Sequence, residues 1–334
     1  EVKRTFATVE GRWGTRQVHY RYCGSGPLLL LLHQSPQSSA EYVPQMRAWG
    51  EHVTIIAPDT PGYGLSDPLG DMNAPLEDYA DSMAEFLDEI GAGPAAVYGF
   101  HTGAGVAVAL GARHPEKVVS VAANGYVVLE ADEREDLLTH YLPAFAPKWD
   151  GSHLTWLWSR MREQLIFFPW YRPAAAARMS LDIPAPDRLQ VGVLEFLRAG
   201  DNYRAAYGAA FRFRGEIAAR GIEVPTLITA ADTDALAAHL PKLTDVPEHV
   251  AVKAGGTREE TLELSLSHLR AYPGSDQPGS RSVRPVSGRL HNEMLDIPGG
   301  QLRIQRNDEA QGTPVIVLHD AAGSSVTTAP VAQS

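Results

Sequence analysis

Through its first 125 residues the chain alternates short, continuous apolar runs with amphipathic stretches, and nothing else in it constrains the fold so strongly. Strands are read at 16–23, 28–32, 53–57, 95–98 and 118–122, with helices at 40–49, 76–90 and 102–113 between them. In the second helix Tyr79, Met83, Phe86, Leu87 and Ile90 fall on one face at helical spacing. Runs such as the five leucines at 28–32 are apolar at every position, the mark of strands covered on both faces. The βα repetition therefore predicts an α/β fold, a mostly parallel sheet flanked by helices.

From 130 to 215 the pattern becomes helical and rich in alanine and aromatic residues, interrupted by Pro169, Pro173, Pro184 and Pro186. The βα plan then resumes, with strands at 224–229 and 250–253 and helices at 235–243 and 259–272. Residues 1–129 and 216–272 are thus read as one core and 130–215 as a helical insertion. Residues 273–288, rich in Pro, Gly and Ser, have linker composition. Residues 289–334 echo the start of the chain. Gly26, Pro27, the leucine run, His33 and the pair Ser38-Ser39 correspond to Gly312, Pro314, the apolar residues 315–318, His319 and Ser324-Ser325. The 334 residues thereby divide into about 272 of complete core plus insertion and 62 of linker and partial second copy, which raises the expectation of a longer tandem chain. The unpaired strands of such a copy are expected at a sheet edge, in the same molecule or in a homo-oligomer.

Composition narrows function by exclusion. The formal charge of −11 disfavours nucleic acid and acidic membrane surfaces. The longest strongly apolar run, residues 27–32, is far too short to span a bilayer. Cys23 is the only cysteine, so neither an intramolecular disulfide nor a thiolate metal cluster can form, which fits a cytoplasmic setting. No metal-ligand spacing and no phosphate-loop lysine occur, so neither metal nor cofactor is expected.

The segment most informative about chemistry is Gly99-Phe100-His101-Thr102-Gly103, a G-x-H-x-G sequence set between a strand and a helix. In a G-x-S-x-G elbow, a sharp strand-to-helix turn exposes the central side chain and the glycines permit close packing. Together with His33-Gln34-Ser35-Pro36, the turn Asp59 to Asp67 and the strand-end Asp234, these residues make the chain resemble the α/β-hydrolase superfamily, in its haloalkane dehalogenase, epoxide hydrolase and C–C hydrolase branch. The resemblance runs from about residue 18 to 272. It implies an eight-stranded, mostly parallel sheet with a helical cap over the site.

Residue by residue, the resemblance places His101 at the nucleophile, the backbone N–H groups of Thr102 and Gln34 in the oxyanion hole, and Asp234 as the acid that orients the base. Asp232 competes for that last role if the register shifts by two. His33 is expected to support the oxyanion loop. The usual catalytic histidine is replaced by Thr257, and Asp-dependent dehalogenation is excluded by His101 itself. The two departures belong together if the imidazole of His101 replaces both serine and base, since a neutral imidazole is nucleophilic and basic near pH 7 without help. Three readings stay open: His101 with Asp234 as general base, His101 as direct nucleophile, or a catalytically inactive protein used for ligand binding or assembly. The leading expectation is cofactor-free hydrolysis of an ester, lactone or C–C bond in a small, apolar carbonyl compound.

Overall fold

The computed structural model describes residues 1–280, 283–307, 313 and 315–333. Eight strands, β1 (Lys3–Gly11), β2 (Gly14–Cys23), β3 (Leu28–Leu32), β4 (Thr54–Pro58), β5 (Ala95–Phe100), β6 (Val118–Asn124), β7 (Thr226–Ala230) and β8 (Val250–Ala254), form one sheet in the order β1-β2-β4-β3-β5-β6-β7-β8. The first two pairings, β1 with β2 and β2 with β4, are antiparallel, and the rest are parallel. The α/β class and the eight-stranded sheet expected from sequence are both present. The sequence reading lacked β1, because the buried Thr5 and Thr8 interrupt its apolar pattern.

The leucines of β3 show why a continuous apolar run was needed. Alternate side chains point to opposite faces. Leu29 and Leu31 pack with Met46 and Trp49 of α1 (Val43–Trp49) and with Leu269 of α9 (Arg258–Ala271). Leu28, Leu30 and Leu32 enter the larger core on the other face, with α2 (Leu76–Glu89), α3 (Thr102–Arg113) and α8 (Gly215–Gly221). None of the five is more than 2% exposed. At roughly 1.5–3 kcal/mol for each fully buried leucine, this one strand anchors both layers.

Between β6 and β7 the chain leaves the sheet for the helices α4 (Ala131–His140), α5 (Ser152–Gln164), α6 (Pro186–Ala199) and α7 (Tyr203–Arg212). Phe145, Leu157, Phe196 and Tyr203 from this insertion join the main core, so cap and sheet share one apolar interior.

The Pro/Gly/Ser segment after α9 is not a free tether. Ser275 donates its N–H to the Pro94 carbonyl and accepts from the Leu28 N–H, at 2.8 Å each, bridging the starts of β5 and β3. A side chain on Gly274 would lie 2.2 Å from the Leu28 carbonyl, so glycine permits this close approach. Composition predicted a flexible linker here; unpaired strand ends pin it instead.

The C-terminal echo begins with a hairpin, β9 (His291–Ile297) and β10 (Gly300–Arg306), matching in kind the β1–β2 hairpin. It forms its own two-stranded sheet and does not extend the main one. Side-chain amides hold it instead: Gln301 pairs with the backbone N–H and carbonyl of Arg4, and Gln17 with those of Asn292. The expected edge pairing is therefore replaced by amide–backbone contacts. Gly312 and Pro314 of the echo lie outside the described residues, while Val315, Ile316 and Leu318 are more than 80% exposed. A helix, α10 (Ser325–Gln333), ends the described chain.

Candidate active site at the strand-to-helix elbow

Parallel pairing aligns Leu32 with Gly99 and Phe100 with Asn124, bringing the carboxyl ends of β3, β5 and β6 to one side of the sheet. Sites in open α/β sheets form at these ends. His101 occupies the turn between β5 and α3 at φ 49° and ψ −111°, a left-handed geometry uncommon for a residue with a side chain. The flanking glycines make that turn possible. A Cβ on Gly99 would lie 2.1 Å from the Gly103 carbonyl oxygen, and one on Gly103 would lie 1.9 Å from that of Leu32.

The His101 imidazole stacks on Phe100, with centroids 4.0 Å apart, and its Nε2 lies 2.8 Å from Asp234 Oδ2. Asp234 also caps the 3-10 helix that begins at Ala235, accepting the Leu236 N–H on its other oxygen. Both lobes of the carboxylate are thus engaged and its orientation is fixed. Burial pushes the Asp234 carboxyl up, but the charge and hydrogen bond of His101 and the Leu236 N–H outweigh it, leaving the group below its ordinary value. Gly125, at φ 67°, leaves the space between the two: a Cβ there would lie 2.2 Å from the His101 ring and 2.9 Å from Asp234 Oδ2.

With Nε2–H donated to Asp234, the other ring nitrogen of His101, Nδ1, carries a lone pair. The side chain is 33% exposed, against 10% for Asp234, so this nitrogen belongs to an accessible group while its orienting partner is shielded. His101 and Asp234 thus form a geometric pair.

The competing acid is displaced from the site. Asp232 accepts the Gly256 N–H on its side chain and donates its own N–H to the Gly256 carbonyl, serving the loop after β8. Thr257, where the family's histidine would stand, forms a capping box with Glu260 at the start of α9. That local use of its hydroxyl and N–H is a helix-terminus function.

His33 is 1% exposed and both ring nitrogens are occupied: Nε2 accepts the Thr60 N–H and Nδ1 faces the Gln34 carbonyl, each at 2.8 Å. These bonds join the loop after β3 to the turn after β4. The Thr102 N–H sits in the first turn of α3, where N–H groups have no intrahelical acceptor. The Gln34 N–H, expected to be the second oxyanion donor, is already bonded to Glu41 Oε1 at 3.0 Å, and the Gln34 side-chain amide donates to Oε2 at 2.9 Å. The Gln34 N–H is therefore engaged by a carboxylate and is not free as an oxyanion donor in this arrangement. Burial pushes the Glu41 carboxyl up, opposed by His33, Gln34 and His101. Sequence reasoning missed Glu41, although Ser38 and Glu41 form an S-x-x-E pair. That spacing signals a capping box, but here Ser38 caps the local turn while Glu41 turns away to Gln34. Among the described residues no group of three His, Cys, Asp or Glu side chains is placed to hold a metal, and no helix is long and apolar enough to cross a membrane.

A parallel sheet with an inserted cap and an acid-supported elbow defines an α/β hydrolase. Residues 27–253 match the family described as alpha/beta hydrolase fold, and the chain belongs to that family. It is 34% identical over 125 residues, 37% of this chain, to the 2-(acetamidomethylene)succinate hydrolase of Mesorhizobium japonicum. It is 32% identical over 85 residues, 25% of the chain, to haloalkane dehalogenase 2 of Mycobacterium tuberculosis. These matches span 45% and 30% of the two relatives' lengths. Among solved structures, an epoxide hydrolase from an endophytic Streptomyces superposes with a TM-score of 0.62 at 18% identity, covering 80% of this chain and 96% of that one. The crystal structure of E-2-(acetamidomethylene)succinate hydrolase gives 0.57 at 21%, covering 80% and 98%.

Proposed function

We propose that this protein is a cofactor-independent hydrolase cleaving an ester, lactone or C–C bond of a small carbonyl compound, with His101 Nδ1 as the reacting nitrogen. The 2.8 Å contact of His101 Nε2 with a shielded Asp234, on a strained strand-to-helix elbow, carries the proposal. As general base, Nδ1 takes a proton from water while the resulting hydroxide adds to the carbonyl carbon. Asp234 stabilises the imidazolium that forms, and the Thr102 N–H faces the developing oxyanion. Collapse breaks the bond to the leaving group, which takes the proton back from Nδ1. The same lone pair can instead attack the acyl carbon directly, expelling the leaving group, which takes a proton from water, to give an acyl-imidazole whose N–C bond water then hydrolyses, releasing the acid and the free imidazole.

The relatives named above include hydrolases of substituted succinates, which supports carbonyl chemistry at this site. The test is a panel of aryl esters and β-diketones assayed with wild type, His101→Ala and Asp234→Asn. Loss of His101 is expected to lower kcat/KM by about 10²–10⁴, the range of a lost general base, with a smaller loss for Asp234→Asn. Hydroxylamine trapping separates the acyl-imidazole route from base catalysis. Wild-type turnover no greater than that of His101→Ala on every substrate would leave the chain as a ligand-binding or assembly member of the family.

A further inference from the structure

Arg160, on α5 of the cap, is 1% exposed and has no ion-pair partner among the described residues. Its guanidinium is instead enclosed by rings: Trp170, Phe196, Tyr203 and Tyr141 lie with centroids 5.1, 5.2, 5.3 and 5.8 Å from Cζ. Nη1 is used, donating to Gln164 Oε1 at 2.8 Å with Met161 Sδ beside it. Nε and Nη2 are buried without a partner. These two nitrogens make up one edge of the guanidinium, the edge that receives a carboxylate side-on through two parallel N–H···O bonds. A buried cation is costly unless paired, and aromatic faces offset only part of that cost. Arg16, also deeply buried, differs in having a carboxylate partner, Glu85 at 3.0 Å, although its Nε and Nη1 are without one.

Two paths of contact lead from this cage to the elbow. The Tyr203 carbonyl accepts the Tyr63 hydroxyl, which also contacts Ser35 Oγ, next to Gln34. On the other side Tyr141 packs edge-on against Phe211, in one cluster with Leu236, two residues beyond Asp234. Both paths run from the cage to residues that neighbour the elbow loops in sequence.

We propose that Arg160 is an anion subsite of the cap, and that its free edge takes a carboxylate of the substrate whose carbonyl is presented to His101. The inference rests on the hydrolase reading for that carbonyl, but the anion contact stands by itself. It changes the expected substrate from a wholly apolar carbonyl compound to one carrying a carboxylate beyond the scissile group.

Succinate and dimethyl succinate serve as binding probes, titrated calorimetrically into His101→Ala so that turnover plays no part. Succinate is expected to bind one-to-one and the diester not to bind. Arg160→Met is expected to weaken succinate at least about 30-fold, as for truncation of one member of a buried charge pair, and Arg160→Lys to fall between. In the wild-type background, Arg160→Met should abolish the preference for 4-nitrophenyl hydrogen succinate over 4-nitrophenyl butyrate, read as the ratio of the two kcat/KM values. Should Arg160→Met fail to fold, Arg160→Lys and the two probes on the unaltered cap carry the test. Equal binding of succinate and its diester, or undiminished succinate binding in either Arg160 variant, overturns the subsite. Arg160-dependent binding with no turnover of any ester overturns the hydrolase reading alone.

Discussion

Two of the histidine–aspartate pairs among the described residues, His19–Asp59 and His101–Asp234, have the same length and opposite fates. His19 Nδ1 meets Asp59 Oδ2 at 2.8 Å, and His101 Nε2 meets Asp234 Oδ2 at 2.8 Å. Both members of the first pair are 1% exposed; in the second, the imidazole is 33% exposed and the carboxylate 10%. Asp59 also accepts the Ser39 N–H and hydroxyl and the Leu65 N–H, while His19 Nε2 is buried with no partner. A proton on that ring has nowhere to go, so the pair is a structural lock between β2 and the turn after β4. At the elbow, the ring nitrogen turned away from Asp234 belongs to a side chain that is one-third exposed, as the proposed chemistry requires. The two pairs differ in which end is shielded.

The comparison breaks most sharply at Asp59. Asp59→Ala leaves the Ser39 and Leu65 donors and His19 without their acceptor, and is expected to cost about 3–5 kcal/mol in urea unfolding at pH 7, as for other broken buried pairs. Burial alone would raise the Asp59 carboxyl, but His19, His33 and Ser39 pull it well below the ordinary range. The sign follows: the unfolded chain binds more protons than the folded one, so the pair's contribution is complete above the unfolded value of about 3.9 and is lost as pH falls toward the folded one. The acid limb of wild-type stability should therefore be steeper than that of Asp59→Asn. Equal acid limbs would mean that the lock contributes nothing to acid sensitivity.

Gly125 sharpens the other half of the comparison. Gly125→Ala adds one methyl group where the His101 ring and Asp234 converge, at a φ of 67° that already disfavours alanine. Overpacking of this kind costs about 1–3 kcal/mol, and the pair must separate to relieve it. A fall of about 10²-fold in kcat/KM is expected, with the variant still folded by near-ultraviolet circular dichroism. Full activity in Gly125→Ala would show that the 2.8 Å contact is dispensable.

Sequence made the frame of this protein legible because its signals are local and periodic. The strand at 28–32 and the helix at 102–113 fall at the observed residues, and the G-x-H-x-G elbow announced its own backbone strain. Asp234 was reachable because it follows a strand at the position the resemblance implies, although the strand stops at Ala230 and Asp234 caps the 3-10 helix beyond it. Glu41 was not, since its partner Gln34 is met across a loop, and its sequence context signals a helix cap. Arg160 was equally hidden: one arginine in a helix with Trp156 and Trp158 gives no sign that its guanidinium is turned inward. The linker failed for a related reason, because composition reports what a segment cannot bury by itself and not which unpaired strand ends await it.

Thr257 offers the smallest effect and the cleanest division between local and catalytic roles. It stands where a second histidine would be required if the elbow carried serine, yet its hydroxyl accepts the Glu260 N–H at 3.1 Å and its own N–H donates to Glu260 Oε2 at 2.7 Å. Those are the two halves of a capping box, worth about 1 kcal/mol on replacement of the cap by alanine. Thr257→Ala is therefore expected to lower unfolding free energy by about that amount while leaving kcat/KM within twofold. A large loss of activity without loss of stability would place Thr257 in the chemistry. The single imidazole of His101 would then no longer account for both missing members of the triad.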